Sequence, residues 1–161
     1  KGWLYEGGIR VPLLIKPAYH KAKSRTISEP VIGHDFYPTI LSLANIEYPK
    51  DQVIDGRDIS ELFNHSKGLS RKSIFWHYPH YHGSGWRPGA AIRVGDWKLI
   101  EFYESGTVEL YNLAEDISEQ NDLSAIYPKK VRVLKRRLSR LQKSMQANAP
   151  IMNPKYKAVF D

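Results

Sequence analysis

Four short strand-like segments followed by one apolar helical stripe limit the fold of this chain more than any other feature. The segments are residues 73–78, 90–94, 96–103 and 107–113. Ala90, Ile92 and Val94 alternate with Ala91 and Arg93, the period of two that a sheet strand requires, which makes Arg93 a structural residue. The second and third segments are joined by a tight Gly95-Asp96 turn and the third and fourth by Glu104-Ser105-Gly106. Links this short allow only antiparallel neighbours. Val131, Leu134, Leu138, Leu141 and Met145 then recur at spacings of three and four, a narrow apolar stripe on one helix. Pro128 suits the start of that helix, and Asn148-Ala149-Pro150 ends it. A four-stranded antiparallel meander packed against one C-terminal helix is a small two-layer α+β unit.

The first seventy residues do not build such a unit. Residues 9–15, "IRVPLLI", read as a strand buried on both faces, with Pro12 confined to an edge or a bulge. Residues 33–46 read as a short helix. Asp35 is its N-cap, Pro38 lies in its first turn, and Phe36, Ile40, Leu43 and Ala44 form its apolar face. "ISELF" predicts one further helical turn. A lone strand buried on both faces needs sheet neighbours, and no other segment reads as one. Residues 1–70 are therefore expected to be the incomplete end of a larger α/β domain, and residues 71–161 its C-terminal subdomain. Without its N-terminal partner, the apolar edge near Ile9 predicts strand exchange or a non-native oligomer.

The 161 residues include no cysteine, so disulfides, thiolate zinc sites and a cysteine nucleophile are excluded within them. No stretch is apolar enough to span a membrane. The net charge of +7 is unevenly distributed. Residues 123–160 hold ten Lys or Arg and no acid, whereas the remainder holds 14 basic and 17 acidic residues. A helix this basic suits nucleic acid, a heparin-like polymer or an acidic membrane. Its apolar stripe fits a packing helix and no aromatic is interleaved, so the reading preferred is a solvated face with modest attraction for polyanions and no nucleic-acid partner.

Two stretches carry local chemistry. In "KGWLYEGGIR", Gly7-Gly8 permits positive φ and close backbone approach, Glu6 and Arg10 are four apart, and Lys1 could hold an anion at a strand-end loop. The same residues also read as a plain turn with a structural ion pair and a solvated lysine. In "WHYPHYHGSGWRPG", His77, His80 and His82 lie among aromatics with Arg87 close behind. Their spacing matches no zinc motif, and Pro79 interrupts regular geometry, so no metal is assigned. Aromatic faces can stack on sugars, imidazoles can bond hydroxyls, and Arg87 can clasp a sulfate or carboxylate. His77 and Arg87 are the leading candidates for substrate binding, and His80 and His82 the secondary ones. Against this stands a structural reading, with Trp76 and Tyr78 in the core and the histidines at the surface.

"KGWLYEGGIRVPLLI" closely resembles a stretch of the formylglycine-dependent sulfatases of the alkaline phosphatase superfamily. "HDFYPTILSLANI", "DGRDI", "AIRVGDWKLI", "ELYNLAEDISEQNDL" and the closing basic helix resemble later parts of that family in the same order. "FWHYPHYHGSGWRPGAAIR" is most similar to members that act on sulfated carbohydrates. The resemblance implies an alkaline-phosphatase-like α/β domain followed by the antiparallel subdomain. It implies that Lys1 contacts the substrate sulfate and neutralises charge on its oxygens, a donor whose loss commonly costs ~3 kcal/mol in the transition state. It implies that the His77–Arg87 loop reaches the substrate pocket, and that the protein is periplasmic or secreted. The family's chemistry uses a hydrated formylglycine that attacks sulfur, and a calcium ion. The Cys-x-Pro-Ser-Arg stretch that supplies the aldehyde does not occur here, and the calcium ligands lie upstream in the family. The chain is thus expected to be a C-terminal fragment that begins at an active-site lysine and is inactive alone. Two alternatives stay open, a non-catalytic polyanion-binding α+β module and a family member that has lost its nucleophile.

Overall fold

A computed structural model describes residues 2–17, 24–63, 68–151 and 153–155. The chain divides into two compact units. One joins the segment ending at Pro12 to the chain from Lys72 onward, and the other is Leu13–Arg71.

The first unit is built on strands β1 (Ile74–Tyr78), β2 (Gly89–Val94), β3 (Trp97–Phe102) and β4 (Val108–Asn112), paired in that order as an antiparallel meander. Register runs through Ile92↔Leu99 and Leu99↔Leu110, so apolar side chains line up across three strands. Gly95 takes φ +59 in the two-residue β2–β3 turn. Ala90, Ile92, Leu99 and Leu110 face the C-terminal helix, Pro128–Ser144, and meet its Leu134 and Leu138. Leu138 is fully buried, which is worth about 1.5–3 kcal/mol in apolar transfer. Met145, the last residue of the predicted stripe, lies beyond the helix end and is exposed.

The opposite face is also covered. A four-residue helix, α1 (Glu6–Ile9), follows Leu4 and Tyr5, and these residues pack with Trp86, Ala91, Ile100, Phe102 and Tyr111. Tyr5 and Tyr111 both donate to Glu109 Oε2, at 2.5 and 2.9 Å. Burial, reinforced by the Glu109 carboxylate, pushes both phenols up from their ordinary value. Gly7 and Gly8 thus sit in a helical turn rather than at positive φ. Close approach is the requirement at Gly8, where a Cβ would lie 2.1 Å from the Trp3 carbonyl oxygen.

The strand expected over residues 9–15 is absent. Ile9 ends α1, and residues 10–17 have no regular structure, with Leu14 92% exposed. A strand needs a partner for its backbone groups, and no described segment pairs with this one.

In the second unit, the helix predicted over residues 33–46 is a 3₁₀ turn, Gly33–Asp35, running into α2 (Phe36–Leu43). Its apolar face is the exposed one, with Ile40 at 62%. Its buried side is polar. Asp35 accepts hydrogen bonds from Ile32 N and Arg57 N, each at 2.8 Å, and two from the Arg71 guanidinium. Thr39 donates to the Asp35 carbonyl and accepts from Ile59 N. Ile59, together with Leu62 and Phe63 of the following 3₁₀ segment (Ser60–Phe63), packs with Val31 and Leu69. The helix from Pro128 to Ser144 is α3.

Candidate functional site

Lys98 anchors the N-terminal turn to the sheet. Alternation along β3 sends Lys98 to the same face as Ile100 and Phe102, under α1, where it is fully buried. Its Nζ lies 2.9 Å from Glu6 Oε1 and 2.8 Å from Glu119 Oε1. Glu119 also accepts from Glu6 N. Glu6 and Arg10 do meet, as their spacing allows, but at 3.7 Å and with Arg10 largely exposed. Two carboxylates and one ammonium from positions 6, 98 and 119 therefore fix the start of the chain to β3.

That anchoring sets the residues beside position 1. Lys1 itself lies outside the described residues. Gly2 takes φ +88, and a Cβ there would stand 2.5 Å from His82 Nδ1 and 2.9 Å from Ser84 Oγ. Trp3 Nε1 donates to the Ser84 carbonyl at 2.8 Å, and its ring meets the buried Trp86 edge-on. The β1–β2 loop is closed on itself by His82 N to Trp86 O and Gly85 N to His82 O. His82 Nδ1 also lies 2.8 Å from Ser84 Oγ. The loop, Gly2 and Trp3 thus form one corner of the unit. Among the described residues Trp86 Nε1 has no hydrogen-bond partner.

The four predicted substrate-binding residues do not all converge, and of them His80 and His82 share a neighbour, the Tyr78 ring. His82 is at the Gly2 corner. His80 lies edge-on to Tyr78, with ring centroids 5.6 Å apart. Arg87 stacks over Phe102 at 4.9 Å, on the same side of the sheet as α1. His77 points to the other side, toward α3. Its Nε2 lies 2.8 Å from the Asn148 carbonyl oxygen and its Nδ1 2.7 Å from Tyr103 Oη. A carbonyl only accepts, so the proton sits on Nε2 and Nδ1 accepts from the Tyr103 hydroxyl. Gln142 donates to that hydroxyl at 2.7 Å. His77, Tyr103 and Gln142 border a cavity of about 930 Å³ that Tyr81, Lys143 and Ile151 also line.

Sequence reasoning did not single out Trp3, Ser84, Lys98, Glu119, Tyr103 or Gln142. Only Lys98 left a signal, a cation at an inward position of an otherwise apolar strand face. Among the described residues, no group of three or more His, Asp or Glu is placed to hold a metal ion.

Residues 1–147 match the sequence model of a family described as N-sulphoglucosamine sulphohydrolase, C-terminal. A sulfatase from Formosa agariphila is 36% identical over 138 residues, which cover 80% of this chain and 25% of that protein. An N-acetylglucosamine-6-O-sulfatase from Bacteroides thetaiotaomicron is 34% identical over 158 residues, covering 93% of this chain and 28% of that one. A solved protein in complex with its substrate D-glucosamine-2-N,6-O-disulfate superposes with a TM-score of 0.60 at 33% identity, over 72% of this chain and 24% of that chain. The chain spans about a quarter of the length of the relatives it matches.

Proposed function

The chain belongs to the N-sulphoglucosamine sulphohydrolase C-terminal family, and from that premise we propose that it forms the C-terminal part of a sulfuric ester hydrolase acting on sulfated carbohydrates. The observation that carries this reading is the corner at Gly2. The Gly2 backbone, next in sequence to Lys1, lies against His82 and Ser84 of the aromatic and histidine-bearing loop. Lys1 is assigned to the sulfate oxygens, and His82, His80 and Arg87 to the sugar and its anionic groups. His77 has both ring nitrogens engaged, so it binds substrate only by releasing Tyr103 or Asn148. The solved relative bound to a disulfated glucosamine supports the substrate class.

The described residues do not fit a calcium site, and the sequence has no Cys-x-Pro-Ser-Arg stretch or serine variant of it. The calcium and formylglycine implied by the resemblance fall to the rest of the parent protein, and this chain alone is proposed to be inactive. No helix among the described residues is long and apolar enough to cross a membrane. A periplasmic or secreted location belongs to the same proposal.

The test is kinetic, on the parent enzyme with a sulfated monosaccharide. Lys1→Ala is expected to lower kcat about 10²-fold or more, the usual effect of removing one preorganised donor, with the melting temperature unchanged. His82→Ala is expected to raise KM with a smaller change in kcat. His77→Phe is expected to cost about 1–3 kcal/mol of stability, because it strips partners from Tyr103 and Asn148. Unchanged kinetics in Lys1→Ala would sink the reading. A peptide map of the parent that shows no formylglycine stretch would turn it toward the polyanion-binding module, which the basic helix supports.

A further inference from the structure

The outward face of α3 is a continuous cationic stripe. On an ideal helix, Lys129, Arg132, Arg136, Arg140 and Lys143 fall within an arc of about 80° and run for about 21 Å along the axis. The arc lies opposite Leu134 and Leu138, which are buried against the sheet, and all five cations are exposed. The helix carries no acidic residue, so no i,i+4 pair neutralises them. Among the described residues none of the five makes an ion pair with a side chain. The other cations of the helix include Lys135, paired with Glu101 at 3.0 Å, and Lys130, seated 3.9 Å over the Trp97 ring. Lys143, at the far end of the stripe, also lines the cavity beside His77.

We propose that this stripe is a docking surface for an extended sulfated glycan chain, distinct from the corner at Gly2. Five free cations in line suit a linear polyanion, and sulfated sugars offer a negative group on successive rings. A membrane is disfavoured because the apolar face of α3 is already used against the sheet, leaving a cationic outer face with Val133 as its exposed apolar side chain. Single-stranded nucleic acid is disfavoured because no aromatic platform lies on the arc. The choice of a sulfated glycan rests on the function proposed above. The surface itself does not.

The test uses Arg132→Gln, Arg136→Gln and Arg140→Gln together. Glutamine keeps helix propensity close to that of arginine, and the three sites are exposed, so the melting midpoint should be retained. The chain is passed over immobilised heparin and titrated with heparin across a salt series. The triple variant is expected to elute at lower salt, with the slope of log K against log[salt] reduced by about two to three. In the parent enzyme, kcat/KM on a sulfated monosaccharide should stay unchanged while kcat/KM on the polymer falls about tenfold or more at low salt. An unchanged elution position, equal losses on both substrates, or tighter binding of duplex DNA than of heparin would each overturn the proposal. If the wild-type parent hydrolyses neither substrate, the proposed activity fails, and the heparin titration still decides the surface.

Discussion

Lys98→Met is expected to destabilise the chain by about 3–5 kcal/mol, the usual cost of breaking a buried ion pair by removing one partner. Methionine fills most of the same volume without the charge. Lys98 is fully buried between Glu6 and Glu119, so its loss leaves two carboxylates near one another under the N-terminal turn. Among the described residues, the cation that remains near is Arg10, 3.7 Å from Glu6 and mostly in water. For a chain of this length, that loss corresponds to a fall in melting temperature on the order of 10 °C. The companion is Lys98→Met combined with Glu6→Gln and Glu119→Gln. It is expected to recover much of the loss, because an uncharged cluster no longer carries unpaired buried charge. Urea titration of the three proteins measures both effects. A loss below about 1 kcal/mol in the single variant would mean that the cluster is not held in a dry site. The same anchoring bears on the proposed site, because Gly2 and Trp3 lie against the His82–Ser84 loop.

The sheet and α3 were legible because their evidence is local. Alternation in residues 90–94, two-residue and three-residue turns, and the stripe through Leu134 and Leu138 each lie within one window. Burial of Lys98 showed in the sequence only as a cation on an otherwise apolar strand face, because the cover over that face comes from residues some ninety positions earlier and Glu119 comes from a loop after β4. A lysine in a strand reads as solvated unless both faces of the sheet are known to be covered. Residues 9–15 failed differently. Periodicity cannot decide whether a short apolar run is a strand, and the run found no strand to pair with. In α2 the apolar residues marked the wrong face, because the Asp35 and Thr39 contacts gather the surrounding segments on the polar side. At the candidate site, the family resemblance picked out the loop, yet it did not separate His82, beside Gly2, from His77, which faces α3. Those two positions differ by five residues along the chain and by which side of the sheet they serve.

Asp35→Asn is expected to cost the Leu13–Arg71 unit about 3–5 kcal/mol, and the cost should depend on pH. The carboxylate is fully buried and faces four donors, from Ile32 N, Arg57 N and both terminal nitrogens of Arg71. An asparagine there turns its amide N–H₂ toward donors and leaves the Arg71 guanidinium, itself mostly buried, without a counter-charge. Burial alone would raise the Asp35 pKa. The hydrogen bonds from Arg71, Ile32 and Arg57, together with the Arg71 charge, outweigh it and hold the carboxyl below its ordinary value of 3.8. A group depressed in the folded state contributes its stability in full above the unfolded value, about pH 4, and loses it as pH falls through the lower folded value. The gap between wild type and Asp35→Asn should therefore be widest above about pH 4 and shrink steadily below it. Amide hydrogen exchange in residues 30–39 and 57–59, followed from pH 5 downward in both proteins, reads that gap within this unit. A gap that stays constant across the range would mean that Asp35 is not held as a depressed carboxylate. The polar hub would then owe its stability to hydrogen bonds that an amide makes equally well.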